Sequence, residues 1–513
     1  MHLVNNMNIP GRIYILLLLG TAIVGCGVSR SGRFMPDKKF DKAAVFEDFT
    51  DVKNALYKYH PSLYWYADSQ TVANAFNNGL ASIKDSMTEP EVRNLLNETI
   101  ASIRCGHTSV RHSKSYTRYL TWNSFSGFPL SAKIINDSTL IVTSNFLRND
   151  SVIRRGDQIH SINGRSSKEI IQSLYPLVPI DGNSKNFSHQ MISNNFGRFF
   201  NSRYQKDTSY VLVYSDSSGN TSTTRMNFYK RPADSIGWKM SFRNAQKLVP
   251  PNKLVKKEMM RSFFVVDKTK TAYLKLNTFS NEISKHYIKK QFKYIKREKI
   301  PYLILDLRNN GGGLITHSLL LARLIHPNRF IYLDSIVTSL NQIKTRNIIK
   351  GRISKRVWIN LGMKLLNKKQ KGGLNSFCLF SEKKYKPHRL RFDGKIFILT
   401  GGASFSATSM LLSSVKGLSN ILLIGEETGG AAYGNNGIFI PELILPNTRL
   451  RLRIPLYRIV NNHLLPNNGR GVMPDIEVKA DAESIRNNRD VKMLKAEALI
   501  KADISSKQSS INP

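Results

Sequence analysis

Leu305-Asp306-Leu307-Arg308-Asn309-Asn310-Gly311-Gly312-Gly313 is an apolar run that stops in a charged, glycine-rich turn. Residues 302–307 ahead of the turn read as a buried strand, and residues 314–325 beyond it carry the apolar spacing of a helix. Strand, glycine turn and helix in that order make one unit of an α/β layer with mostly parallel strands. The pattern repeats outward: strands are predicted at 271–276, 395–400 and 421–424, and helices at 284–297 and 406–418. Glycines in such a turn let the backbone approach a ligand and aim amide N–H groups at it, and the following helix start favours negative charge. Alone, the turn would suit a phosphate as well as a developing oxyanion, but it lacks the Gly-Lys-Ser/Thr ending of a P-loop and the Gly-x-Gly-x-x-Gly spacing of a dinucleotide site.

A second strand-to-helix junction reads Thr400-Gly401-Gly402-Ala403-Ser404-Phe405-Ser406-Ala407-Thr408-Ser409. A serine there can expose its hydroxyl beyond the strand end while the next backbone N–H faces the same space. It can equally be a helix cap, and the spacing is not that of a Gly-x-Ser-x-Gly elbow. Two further motifs follow, Gly425-Glu426-Glu427-Thr428-Gly429-Gly430 and Gly469-Arg470-Gly471-Val472-Met473-Pro474-Asp475.

Upstream, Val45, Phe49, Val52 and Leu56, then Ala73, Phe76, Leu80 and Ile83, predict two helices separated at His60-Pro61. A third opens at Thr88 with Glu89 and Glu91 in its first turn and runs toward Ile103-Arg104-Cys105-Gly106-His107-Thr108. Strand-like alternation marks 130–144, followed by Ile153-Arg154-Arg155-Gly156-Asp157-Gln158-Ile159 and Ile162-Asn163-Gly164-Arg165. On their own these turns fit a generic β-hairpin. Residues 328–392, basic and containing Trp358, read as an insertion or cap over the α/β core.

The composition, 41% hydrophobic with 10% aromatics, is that of a globular protein long enough to bury a core in each of several domains. Its net charge of +40 would suit nucleic acid. The basic residues are spread along the chain, however, and no zinc-finger spacing or aromatic RNA-binding signature occurs, so no nucleic-acid partner is expected. A basic face lying near anionic lipid or cell-wall polymer is a milder reading of the charge, and compositional bias is milder still. With no His-Glu-x-x-His, no paired Cys-x-x-Cys and no clustered acidic loop, neither a catalytic metal nor a cofactor is expected.

Arg12 precedes an apolar run, 13–24, too short to span a bilayer and flanked as an export signal is. Its end, Ile23-Val24-Gly25-Cys26, resembles a bacterial lipobox. That resemblance implies removal of residues 1–25, acylation of Cys26, a tether over 26–39, and an outer-membrane anchor facing the periplasm. Cys105 and Cys378 are then too few for a disulfide framework.

Taken together, the Asp-Leu-Arg-x-Asn-x-Gly-Gly segment at 306–312, the Ser406-Ala407 junction and the Gly-Val-x-Pro-Asp segment at 471–475 resemble the C-terminal processing peptidase and tricorn core family of serine peptidases. The resemblance implies a multi-domain α/β protein. Its parts would be an N-terminal helical domain over 40–112, a PDZ-like β-rich domain with connector over 126–262, a crotonase-like α/β peptidase core over 263–485 with residues 328–392 inserted, and a tail over 486–513. It implies Ser406 as nucleophile, with Gly312 and Ala407 lending oxyanion amides and Gly156 and Asp157 belonging to a peptide-binding turn. The lysine base of one branch would stand at Ala431, so the histidine base of the tricorn-like branch, here His107 in Gly-His-Thr, is expected. The nearest match to that branch's orienting glutamate is Asn468, and Ser409 stands where many members have glutamate. The expected activity is cleavage of peptides or unfolded proteins in the cell envelope. The alternative is an anchored peptide-binding protein on the same scaffold with weak or lost chemistry.

Overall fold

The computed structural model describes residues 34–123, 127–147, 150–204, 207–230, 260–340, 360–361, 363–369, 374–377, 380–462 and 464–509. The chain divides into two compact units, 1–38 and 39–513, and the second contains the helices and sheets described here. The expected signal segment 1–25, Cys26, Trp358 and Cys378 lie outside the described residues.

The N-terminal helices form where the apolar spacing puts them: α1 (Lys42–Tyr59), α2 (Ser69–Ala81) and α3 (Glu89–Ile100). Asp41 and Asp68 cap the first two by accepting the N–H groups of Ala44 and Thr71, and Thr88 with Glu91 forms a capping box on the third. Their inner faces, including Val45, Phe49, Phe76 and Leu96, join one continuous apolar cluster with Leu274, Leu305, Leu321 and Leu411 of the α/β region. The expected boundary near residue 112 therefore does not separate two cores, and the segment that follows α3 is laid directly against the α/β layer.

The middle region has an apolar core of its own, containing Leu130, Val142, Ile159, Ile171, Phe196 and Tyr210. Strands β1 (Leu130–Ile134), β2 (Leu140–Asn145), β3 (Gln158–Ile162), β4 (Ser209–Ser215) and β5 (Thr221–Asn227) pair antiparallel in that order. Between β3 and β4 run α4 (Ser167–Leu174), α5 (Lys185–Ser193) and α6 (Phe196–Tyr204).

The α/β layer is a six-stranded sheet. Its strands are β6 (Arg261–Val266), β7 (Thr271–Leu276), β8 (Tyr302–Asp306), β12 (Lys395–Thr400), β13 (Ile421–Gly425) and β16 (Ile476–Glu477), neighbours in that order, with β6 antiparallel to β7 and the remaining pairs parallel. β8 is buried along its whole length, as expected of a central parallel strand covered on both faces. Helices α7 (Lys285–Arg297), α8 (Ile315–Ile325) and α9 (Ala407–Val415) contribute to the large cluster on one face. Beyond a short helix α10 (Ala482–Arg486), the expected tail is the helix α11 (Val491–Ser509), whose Ala496 and Ile500 cover Tyr302, Phe397 and Ile424 on the other face.

The stretch read as an inserted cap is partly built into a second sheet. Strands β9 (Ser335–Thr338), β10 (Asn367–Lys369) and β11 (Asn375–Phe377) pair with β14 (Gly434–Ile438) and β15 (Tyr457–Val460) in the order β10-β11-β9-β15-β14.

Candidate active site

β8 and β12 are adjacent and parallel, so the turns leaving both emerge on the same edge of the sheet. In the first turn, Asp306 is almost fully buried and takes the Arg308 guanidinium and the Tyr273 hydroxyl, while Arg308 also reaches Asp490 beside α11. These residues of the motif hold the loop rather than face the site. Asn310 ties it further, donating from Nδ2 to Leu276 O at 3.0 Å while its backbone oxygen accepts the Phe405 N–H at 3.1 Å.

In the second turn, Ser404 Oγ donates to Leu307 O at 2.9 Å and so joins the two loops. Ser406 then takes φ 56° and ψ −122°, a backbone conformation that costs an L residue on the order of 1–3 kcal/mol. The strain turns its side chain away from the helix it precedes. Ser406 makes no side-chain cap to α9, so the bland role left open by the sequence is not the one it plays. Its Oγ lies 3.1 Å from His107 Nε2, across 299 residues of sequence.

His107 is only 6% exposed. Its ring stacks on Phe405 with centroids 4.9 Å apart, and Phe405 stacks in turn on Phe187 of α5 at 4.4 Å. Its other nitrogen, Nδ1, is 3.7 Å from Asp181 Oδ1, and neither Nδ1 nor Asp181 Oδ2 has a hydrogen-bond partner among the described residues. Asp181 is 1% exposed and accepts the Gly106 N–H at 2.7 Å. No sequence motif marked this residue, which lies in the loop before α5. Cys105, by contrast, is buried and burial pushes its thiol up to about 11, which leaves it without nucleophilic thiolate near neutral pH.

Among the expected oxyanion donors, Ala407 N–H donates to no group among the described residues. Gly312 differs from the expectation. It packs against the serine, since a Cβ there would come within 2.8 Å of Ser406 Cβ and 2.9 Å of Ala407 N, but its own N–H is donated to Asn310 Oδ1 at 2.9 Å. That amide is spent on shaping the turn. Gly313 forms a parallel bridge with Phe279 through Gly312 O and Leu314 N, which leaves the Gly313 N–H facing away from Phe279.

Two other expectations need correction. Asn468 is not brought to His107: its Oδ1 accepts the Arg470 N–H at 3.0 Å and its carbonyl accepts from Asn183, so the side chain closes its own turn. Gly156 and Asp157 are structural. Gly156 donates to Val142 O and accepts from Arg486, and buried Asp157 caps the Arg154 N–H at 2.7 Å, leaving neither open to a peptide. Ser409, in place of an acidic side chain, is fully buried and donates to Ser404 O.

The two remaining motifs brace each other. Glu427 accepts both a forked pair from Arg470 at 2.9 and 2.8 Å and the Gly471 N–H at 2.7 Å, and Thr428 Oγ1 accepts the Val472 N–H at 2.8 Å. Ala431, where a lysine base would stand, is buried. Among the described residues no group of three or more His, Cys, Asp or Glu side chains could hold a metal ion, and no helix is long and apolar enough to cross a membrane.

Residues 270–478 match the model of peptidase family S41. The match contains Ser406 and the 311–313 turn and excludes His107 and Asp181. Among solved structures, mature CPAF complexed with lactacystin aligns with a TM-score of 0.62 at 14% identity, covering 90% of this chain and 98% of that one. Mature CPAF alone aligns at 0.59 with 14% identity, over 90% and 97%. These likenesses establish the fold. No curated protein matches the chain in sequence. The match over residues 270–478, together with these fold likenesses, supports a serine-type peptidase that acts on polypeptides.

Proposed function

We propose that the protein is an endopeptidase in which Ser406 attacks the peptide carbonyl and His107 takes the serine proton through Nε2 and passes it to the leaving amine. Ala407 N–H and the Gly313 N–H are the oxyanion donors. The observation that carries this reading is the 3.1 Å approach of His107 Nε2 to Ser406 Oγ on a strained backbone. A fluorophosphonate probe tests it: labelling of the wild type and none of Ser406→Ala is expected, and labelling that survives the substitution overturns it.

A second reading, peptide binding with little turnover, draws on the unpartnered His107 Nδ1 and the occupied Gly312 N–H. Peptide binding without probe labelling would favour it. For location, the lipobox-like segment at Cys26 supports an outer-membrane lipoprotein facing the periplasm. Incorporation of a labelled fatty acid that Cys26→Ala abolishes is the expected result, and incorporation that persists in the variant removes the anchor.

A further inference from the structure

We infer that Asp181, a residue of the middle region outside every recognised motif, is the carboxylate that positions His107 for proton transfer. The inference rests on Ser406 and His107 acting as nucleophile and base.

The base must present an unprotonated Nε2 to Ser406, so its proton has to sit on Nδ1. Nδ1 is buried and has no hydrogen-bond partner among the described residues, and Asp181 Oδ1 lies 3.7 Å from it. Asp181 Oδ2 is buried and unpartnered as well, so the carboxylate holds unused accepting capacity on the side of the site. Among the described residues no lysine or arginine pairs with Asp181, and a carboxylate beside the ring favours a cation forming next to it, as an imidazolium does.

The backbone around Asp181 is strapped from both directions. Gly182 N–H donates to Arg104 O at 2.9 Å, which ties the loop to the histidine segment. On the core side, Asn183 N–H donates to Gly469 O at 2.7 Å and Ser184 Oγ to Thr428 O at 2.8 Å. The close approach of Gly182 to Gly469, where a Cβ would meet Gly469 Cα at 2.4 Å, leaves no room for the loop to slide. The other acid of the neighbourhood, Glu427, is committed to Arg470 and Gly471. Tyr66 and Cys105, which feel the Asp181 charge, are held neutral by burial, and so is His60, pushed down to about 3.

The test is steady-state peptidase kinetics of Asp181→Asn. Asparagine keeps the acceptor for the Gly106 N–H, so the melting temperature should stay near that of the wild type, while kcat falls about 100-fold or more and KM changes less than about threefold. The acid limb of the kcat/KM profile should move to lower pH, because an imidazolium without its counter-charge is a stronger acid. Asp181→Glu should recover part of kcat. A kcat within about threefold of wild type with an unmoved acid limb would reduce Asp181 to a backbone tie. A measurement needing no variant of Asp181 is the proton resonance of His107 Nδ1 in wild type phosphonylated at Ser406. A downfield, exchange-protected signal supports the pair, and its absence overturns it. Should Ser406→Ala hydrolyse peptide like the wild type, the nucleophile assignment has failed, an outcome separate from any behaviour of Asp181→Asn.

Discussion

The two halves of the site are built in different ways. The proposed nucleophile half, Ser406 with Ala407 and the 311–313 turn, rises from two adjacent parallel strands, and its geometry is set by backbone: the φ of 56° at Ser406 and the φ of 93° at Gly312. The proposed base half, His107 and Asp181, comes from two loops outside the S41 match and is assembled by side-chain packing, through the stack of His107 on Phe405, which stacks on Phe187, and the ties between 104–106 and 181–182. Backbone geometry leaves short motifs in a sequence. Packing between distant loops does not.

Substitutions can break that contrast, beginning with the largest effect. Ser406→Ala should lower kcat by about 10⁴-fold or more with the fold intact, measured by peptide hydrolysis and thermal melting. Gly312→Ala should damage both activity and stability, since its Cβ would meet Phe405 O at 2.7 Å in a conformation costly for alanine. A loss of about 2–3 kcal/mol in unfolding free energy, together with weak probe labelling, is the expected pair of readings. A fully stable Gly312→Ala would mean that the backbone half is less rigid than described.

The base half should yield more gradually. Phe187→Leu keeps apolar volume but removes the ring behind Phe405, so kcat should fall about tenfold with Ser406 still labelled, because a small misplacement of the imidazole suffices. Unchanged kcat would show that the stack is not what seats His107.

His60 offers a readout in pH. It is buried beside the His107 segment, accepting the Ser62 N–H at Nδ1, 3.2 Å away, and donating from Nε2 to Thr108 Oγ1, 2.9 Å away. Burial pushes it down to about 3 from an ordinary 6.5. The unfolded chain therefore binds the extra proton first as pH falls, so this contribution to stability is complete above about pH 6.5 and is lost between there and about pH 3, with a slope near 1.4 kcal/mol per pH unit. His60→Gln should flatten that part of the stability profile measured by denaturant titration, and an unaltered slope would contradict it. The smallest effect is expected from Asn468→Ala, which should leave kcat within about twofold, as its side chain only closes the 468–470 turn. A large loss would return Asn468 to the site.

Much of the architecture was legible because its signals are local. The buried run before Asp306, the apolar spacing of α1 and α2 and the opening of α3 at Thr88 each reflect contacts within a few residues, and each element appears where its spacing puts it. Several expectations failed where function was transferred by position in a motif. Asn468 and Gly312 stand where the resemblance places them, but in both cases a hydrogen bond inside their own turn decides where the group points. In the 328–392 stretch, β9 joins β10 and β11 to β15, far along the chain, and pairing at that distance leaves no periodic trace.

By itself, then, the sequence determined the parallel α/β layer, the glycine turn and Ser406 at a strand-to-helix junction, because hydrophobic period and glycine's freedom at positive φ act within a turn or two of chain. Only the tertiary structure decided which acid faces His107. The distance between a buried nitrogen and a carboxylate on another loop depends on how two packed regions meet, and that meeting is settled by many weak contacts spread over the chain rather than by the residues on either side of Asp181.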